Sequence, residues 1–190
     1  MKTDIILAGV GGQGILSVAT VIGQAALNEN LYIKQAEVHG MSQRGGDVQS
    51  NMRISDTPIA SDLISQGQAD IILAMEPMEA LRYKEFINPE GWIVTSSAPI
   101  VNIPNYPDIS LVLEELRESG HVVLVDTEGL GRELKLSKCA NMLLLGAASR
   151  YLECISFRQL CESVRMVFAS KGSEVADANI RALEEGRNCR

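Results

Sequence analysis

Two glycine-rich stretches near the start of the chain hold the residues best suited to chemistry. Gly9-Val10-Gly11-Gly12-Gln13-Gly14 stands between the apolar run Ile5-Ile6-Leu7-Ala8 and a helical stretch starting near Ile15. His39-Gly40-Met41-Ser42-Gln43-Arg44-Gly45-Gly46-Asp47 follows a second strand-like segment. Glycines let the main chain approach an anion closely, and the free amides of a following helix N-terminus supply donors and a favourable dipole. Gly11, Gly12, Gln13 and Gly14 are therefore candidates for contact with an acidic ligand. In the second stretch Arg44 can pair bidentately with phosphate or carboxylate, Ser42 and Gln43 can donate or accept, and His39 can titrate near neutrality. Such a set binds an acidic coenzyme or substrate group, and the two stretches together point to one site.

Other readings of the same residues stay open. The first loop also suits a dinucleotide site, since Glu37 lies 23 positions after Gly14, near the spacing of about 20 at which an acid holds a ribose. It also suits a tight turn needed only for packing helix on strand. His39 and Arg44 can equally bond nearby carbonyls or carboxylates. Glu76, Glu79 and Arg82 follow an apolar strand, where ligand crevices form, yet a carboxylate in a first helical turn also favours the dipole and Glu79 with Arg82 suits an i,i+3 pair. Asp126 or Thr127 can cap a helix, and Asn141 can serve as a buried hydrogen-bonding anchor. A Gly-Lys-Ser/Thr phosphate loop, a serine elbow and a zinc motif are all missing from the sequence.

The elements that must position these residues alternate. Ile5 to Ala8 reads as a buried strand, and residues 15–28 as a helix lying on a sheet. Residues 31–38 give a second strand, and the alternation of Val48, Ser50, Met52 and Ile54 a third, half-buried one. Ile71 to Met75 is a strand covered on both faces, and Pro77 fits the first turn of a helix through about Ile87. Asn88 to Gly91 reads as a turn, Trp92 to Thr95 as strand, and the stretch with Pro99, Pro104 and Pro107 as an irregular connection. Leu111 to Ser119 is expected to be helical and Val122 to Val125 a further strand. Ser156 with Gln159 marks a capping box, Lys171-Gly172 a helix end, and Ser173 the start of the last helix. This order predicts an α/β three-layer sandwich with a mostly parallel, Rossmann-like sheet and a helical C-terminal third, forming one domain over residues 1–190.

Composition narrows the function. Seventeen Lys and Arg against 24 Asp and Glu give a net charge of -7, which argues against nucleic acid or an anionic membrane as partner. The sequence has no apolar run approaching the roughly 18 residues of a membrane span, and its first residues lack a signal-peptide pattern, so a cytoplasmic location is expected. Cys139, Cys154, Cys161 and Cys189 lack the tight spacing of a zinc or iron-sulfur site and read as free thiols.

The two glycine stretches, Glu37-Val38 before the second, the run Ala69 to Glu76, and Asn141 to Ala147 together resemble the gamma-type subunits of 2-oxoacid:ferredoxin oxidoreductases. Among these, the small beta subunit of the indolepyruvate type is most similar, over nearly the whole chain. The run His39 to Gly46 is the specific part, and Glu76-Pro77-Met78-Glu79-Ala80-Leu81-Arg82 matches a Glu-x-x-Glu-Ala-x-Arg pattern of these subunits. The resemblance implies a docked subunit supporting CoA-dependent oxidative decarboxylation of aryl pyruvates to acyl-CoA, with ferredoxin reduced through the complex. Thiamine diphosphate and iron-sulfur clusters would then reside on the large alpha subunit, with no cofactor on this chain and coenzyme A as cosubstrate. It raises Gln43 and Arg44 as ligand contacts but assigns no catalytic residue. Two other readings remain: a stand-alone NAD(P)-binding protein, and a purely structural scaffold subunit.

Overall fold

The computed structural model describes residues 1–40 and 45–189. Its six-stranded sheet has the order β2-β3-β1-β4-β5-β6, built from β1 (Lys2–Val10), β2 (Tyr32–His39), β3 (Asp47–Ser55), β4 (Ala69–Ala74), β5 (Ile87–Ser96) and β6 (Val122–Val125). β1, β4, β5 and β6 pair in parallel, whereas β3 runs antiparallel to both β1 and β2. Short connection length dictates that reversal. Parallel neighbours need a crossover of roughly a dozen residues or more, and the stretch between β2 and β3 is shorter.

Alternation along β1 sorts the core into two layers. Ile5 and Leu7 pack under α1 (Ile15–Asn28), α5 (Ala140–Ala148), α6 (Phe157–Phe168) and α7 (Ser173–Asn188), while Ile6 and Ala8 pack toward α2 (Pro77–Arg82) and α3 (Ile109–Arg117). α5 is buried almost all round, with Met142 to Ala148 inaccessible. Side chains fix several helix starts. Asp108 caps α3 and Asp126 caps α4 (Thr127–Glu133) by accepting from Ser110 N and Gly129 N. Ser156 Oγ accepts from Gln159 N at 3.2 Å, but Gln159 Oε1 is buried without a partner, so only half of the capping box forms.

Two boundaries differ from expectation. α2 ends at Arg82 and a 3-10 turn, Lys84–Phe86, carries the chain into β5. The turn expected at Asn88 to Gly91 lies inside β5 as an irregularity, because Ala69 pairs with Ile87 but Ile71 with Trp92. Asn88 stabilises it by donating to Asp70 Oδ1 at 2.7 Å and accepting from Glu90 N at 2.9 Å. Among the described residues, no helix is long and apolar enough to cross a membrane.

Burial also sets a pH limit. It pushes up the thiols of Cys139, Cys154, Cys161 and Cys189, and the phenols of Tyr83, Tyr106 and Tyr151. A group whose folded pKa is raised contributes stability that is intact below its unfolded pKa and is lost as pH climbs through the folded one. Urea midpoints are therefore expected to start falling above about pH 9, the ordinary thiol value. Midpoints that stay level well into the alkaline range would show that these groups ionise as freely in the folded chain as in the unfolded one.

Candidate functional site

The first glycine stretch leaves the C-terminal end of β1 and turns into α1. Gln13 is its internal brace, since its Oε1 accepts from Val10 N at 2.6 Å and its Nε2 donates to Met75 O at 2.9 Å, beyond the end of β4. Both ends of this amide are thereby committed to the main chain. Gly12 and Gly14 have φ of +106° and +80°, the left-handed region that favours glycine. Gly14 is the N-cap of α1, which has no side-chain cap and no acid in its first turn. That leaves the helix N-terminus available to a negative group. Asn141 at the start of α5 is half-buried and donates to Gly14 O at 3.2 Å, so it anchors this turn across the domain.

A cavity of about 760 Å³ opens against Gly12, Gln13 and Gly14. It lies at the strand C-termini where the connections from β1 and β4 leave in opposite directions, the usual crevice of an open α/β sheet. Lys138 and Lys171 line it together with Ser17, Thr127, Asn141 and one carboxylate, Glu174. Leu144, Phe168, Val175 and Ala178 give it an apolar wall. Two lysines and an uncapped helix N-terminus favour an anionic group there, and the wall suits the apolar body attached to it. Sequence reading named neither Lys138 nor Lys171 as a site residue, since both are more than a hundred positions from the loop and belong to no spaced motif.

The fold brings the two glycine stretches together. Gly11 N donates to Gly46 O at 2.8 Å and Gly45 N to Gly11 O at 3.4 Å, extending the β1–β3 ladder past its last pair, Val10 with Asp47. Ser42, Gln43 and Arg44 lie outside the described residues, as does Met41. Among the described residues, the second stretch does not line the cavity, which opens instead toward α5 and α7. The first loop thus has the second stretch against Gly11 and the cavity against Gly12 to Gly14.

The dinucleotide reading loses its acid. In a dinucleotide fold the ribose-binding carboxylate ends the strand next to β1. Here β3 occupies that place and Glu37 sits on β2, one strand further out, about 10 Å from β1 at ordinary strand spacing. The Glu76 group is structural in the main. Glu76 is 1% exposed and caps α2 by accepting from Glu79 N at 3.0 Å, and Glu79 pairs with Arg82 at 2.8 Å, which raises the guanidinium pKa. The other Glu76 oxygen accepts from the Tyr106 hydroxyl. Burial, then that bond and the nearby charge, push the Tyr106 phenol up. Among the described residues, no group of three His, Cys, Asp or Glu side chains stands where it could hold a metal ion.

Comparison with known proteins places this geometry. The family profile described as pyruvate ferredoxin/flavodoxin oxidoreductase matches residues 4–189. The indolepyruvate oxidoreductase subunit IorB of Archaeoglobus fulgidus is 32% identical over 196 aligned positions, covering 99% of this chain and 95% of that protein. The pyruvate oxidoreductase subunit PORC of Thermotoga maritima has the same fold, with a TM-score of 0.75, 22% identity and coverage of 99% and 96% of the two chains. A 2-oxoglutarate:ferredoxin oxidoreductase of Magnetococcus marinus, solved with 2-oxoglutarate, coenzyme A and succinyl-CoA bound, superposes with a TM-score of 0.78 at 24% identity, over 98% of this chain and 30% of that one.

Proposed function

The chain belongs to the pyruvate ferredoxin/flavodoxin oxidoreductase family, and from that premise we propose that it is the small subunit of a 2-oxoacid:ferredoxin oxidoreductase of the indolepyruvate type. Supporting the substrate class is the end-to-end likeness to the Archaeoglobus subunit, at an identity above that of the 2-oxoglutarate synthase subunits it also resembles. The holoenzyme would convert an aryl pyruvate and coenzyme A to an acyl-CoA and carbon dioxide, passing the two electrons to ferredoxin. Decarboxylation of a 2-oxoacid needs a carbanion-stabilising cofactor and an electron path, both supplied by cofactors. The four cysteines are buried or half-buried and lie in no cluster, so the described residues do not fit an iron-sulfur centre. Thiamine diphosphate and the clusters are accordingly assigned to the large subunit.

This chain's part is to bind and orient anionic groups at the approach to the active site. The observation that carries this is the junction of the two glycine stretches at Gly11, beside a cavity lined by Gly12 to Gly14, Lys138 and Lys171. Gly12 and Gly14 offer main-chain donors, Gly11 spends its own amide on Gly46 O to fasten the second stretch, Gln13 holds the turn rigid, and Ser42, Gln43 and Arg44 are proposed to reach coenzyme A or the 2-oxoacid carboxylate from that stretch. Holding an anion costs these donors no reorganisation, because the turn is already braced.

Arg44→Ala is expected to leave folding and subunit assembly intact while raising the KM for coenzyme A in the reconstituted enzyme. The loss should be about 1.5–3 kcal/mol, that of a hydrogen bond to a charged group. Full assembly with unchanged coenzyme A kinetics would remove Arg44 from the site. Tight binding of NAD(P) by the purified chain would favour the dinucleotide reading.

A further inference from the structure

We propose that Glu76, Tyr106 and Asn102 form a positioning relay that holds the second glycine stretch against the first, so that a buried carboxylate at the end of β4 sets the ligand-facing junction. The inference rests on the proposed function only in taking that junction to meet the anionic ligand. Capping the six-residue α2 occupies one oxygen of Glu76, through Glu79 N at 3.0 Å. The other oxygen reaches away from the helix to the segment 97–108, accepting from the Tyr106 hydroxyl and, at 3.4 Å, from Ile100 N. A carboxylate 1% exposed is tolerable only when hydrogen-bonded, so the segment and the carboxylate depend on each other. Pro99, Pro104 and Pro107 restrict the main chain around these two pins.

Between the pins lies Asn102. Its Nδ2 donates to Gly45 O at 2.8 Å, and Gly45 and Gly46 in turn exchange main-chain hydrogen bonds with Gly11. Asn102 is exposed, so packing does not account for its place. Among the described residues, its side-chain hydrogen bond is this one to the second glycine stretch. Val101 and Ile103 on either side are also exposed, at 70% and 42%, leaving the amide as the fastening at this point. The path therefore runs from a buried strand-end charge, through a proline-stiffened strap, to the carbonyl of a residue in the second stretch.

The relay is tested in the reconstituted two-subunit enzyme with Asn102→Asp and Tyr106→Phe, using Arg44→Ala as reference. Aspartate keeps the size of asparagine but replaces the donor with a group that repels the Gly45 carbonyl. Asn102→Asp should speed amide exchange at Gly45 and Gly11, whose N–H groups make the junction, and raise the KM for coenzyme A roughly two- to tenfold, the range of one lost hydrogen bond. Its kcat should change far less, and thermal stability should be kept. Tyr106→Phe should move both readouts in the same direction. A residue that merely supported the fold would instead lower the melting temperature and leave KM alone. Unchanged exchange in Asn102→Asp overturns the relay. Faster exchange with an unchanged KM, while Arg44→Ala raises KM, overturns its part in ligand binding. If Arg44→Ala also leaves KM unchanged, the ligand reading of the junction is what fails.

Discussion

Gly186→Ala is expected to destabilise the chain by more than about 3 kcal/mol, a large share of the 5–15 kcal/mol that holds an ordinary domain folded. α5 and α7 pack backbone to backbone. A Cβ built on Gly186 would fall inside the van der Waals contact of the Leu143 carbonyl, and one on Gly146 would meet the Leu183 carbonyl and come within 2.9 Å of Arg187 N. The two glycines are reciprocal, each giving up its side chain to the other helix. Helix propensity pulls the other way, since alanine is better than glycine in a helix interior by about 1 kcal/mol. A main-chain clash outweighs that gain because neither helix can yield without displacing Leu143, Leu183 and the core around them. Gly23→Ala supplies the contrast: its Cβ would approach only the flexible end of Ile33, at 3.3 Å. Thermal melts should show Gly186→Ala lowered by roughly 6–12 °C, at a few degrees per kcal/mol for a chain of this size, with Gly23→Ala close to the parent or slightly above it. Equal melting temperatures for the two variants would mean that α7 does not sit this close to α5.

This helix pair also marks where sequence reading stops. Apolar runs announce β1, β4 and β6, and glycine or proline beside them announces the turns, because such patterns are local. The α/β alternation and the mostly parallel sheet were legible for that reason. So was the first site loop, with its strand before and helix after. Insertion of β3 between β2 and β1 was not legible, because a hairpin reads the same whichever of its strands lies inward. That single ambiguity decided the fate of Glu37. Asp4, beside the N-terminus, carries no sequence signal, yet it is fully buried, pairs with Arg53 across β1 and β3, and accepts from its Nε and Nη2 at 2.9 Å each. Lys138, Lys171 and Asn102 reach the site only through tertiary folding. Pairs so far apart in sequence leave no periodic trace, whereas Gln13, next to the turn it braces, could be named as a site residue but not as a brace.

The isolated chain is expected to turn over no 2-oxoacid, and activity should appear only when the large subunit is added. Fold and site geometry argue for this from different directions. The described residues offer donors for an anion, a crevice at the strand ends and braced glycine turns, all of which bind and orient. They hold no grouping of side chains for a metal ion, and binding alone does not cleave the bond to a carboxylate or carry off two electrons. Purified anaerobically, the chain should be colourless, carry no stoichiometric iron and reduce no ferredoxin with indolepyruvate and coenzyme A. On reconstitution, ferredoxin reduction should appear, and amide exchange at residues 11–14 and 39–46 should slow if, as proposed, the site lies at or near the subunit boundary. Turnover or an intrinsic cluster in the isolated chain would sink the accessory role. A complex that forms and works while both segments keep their free-state exchange rates would leave the subunit reading standing and move the site elsewhere on the surface.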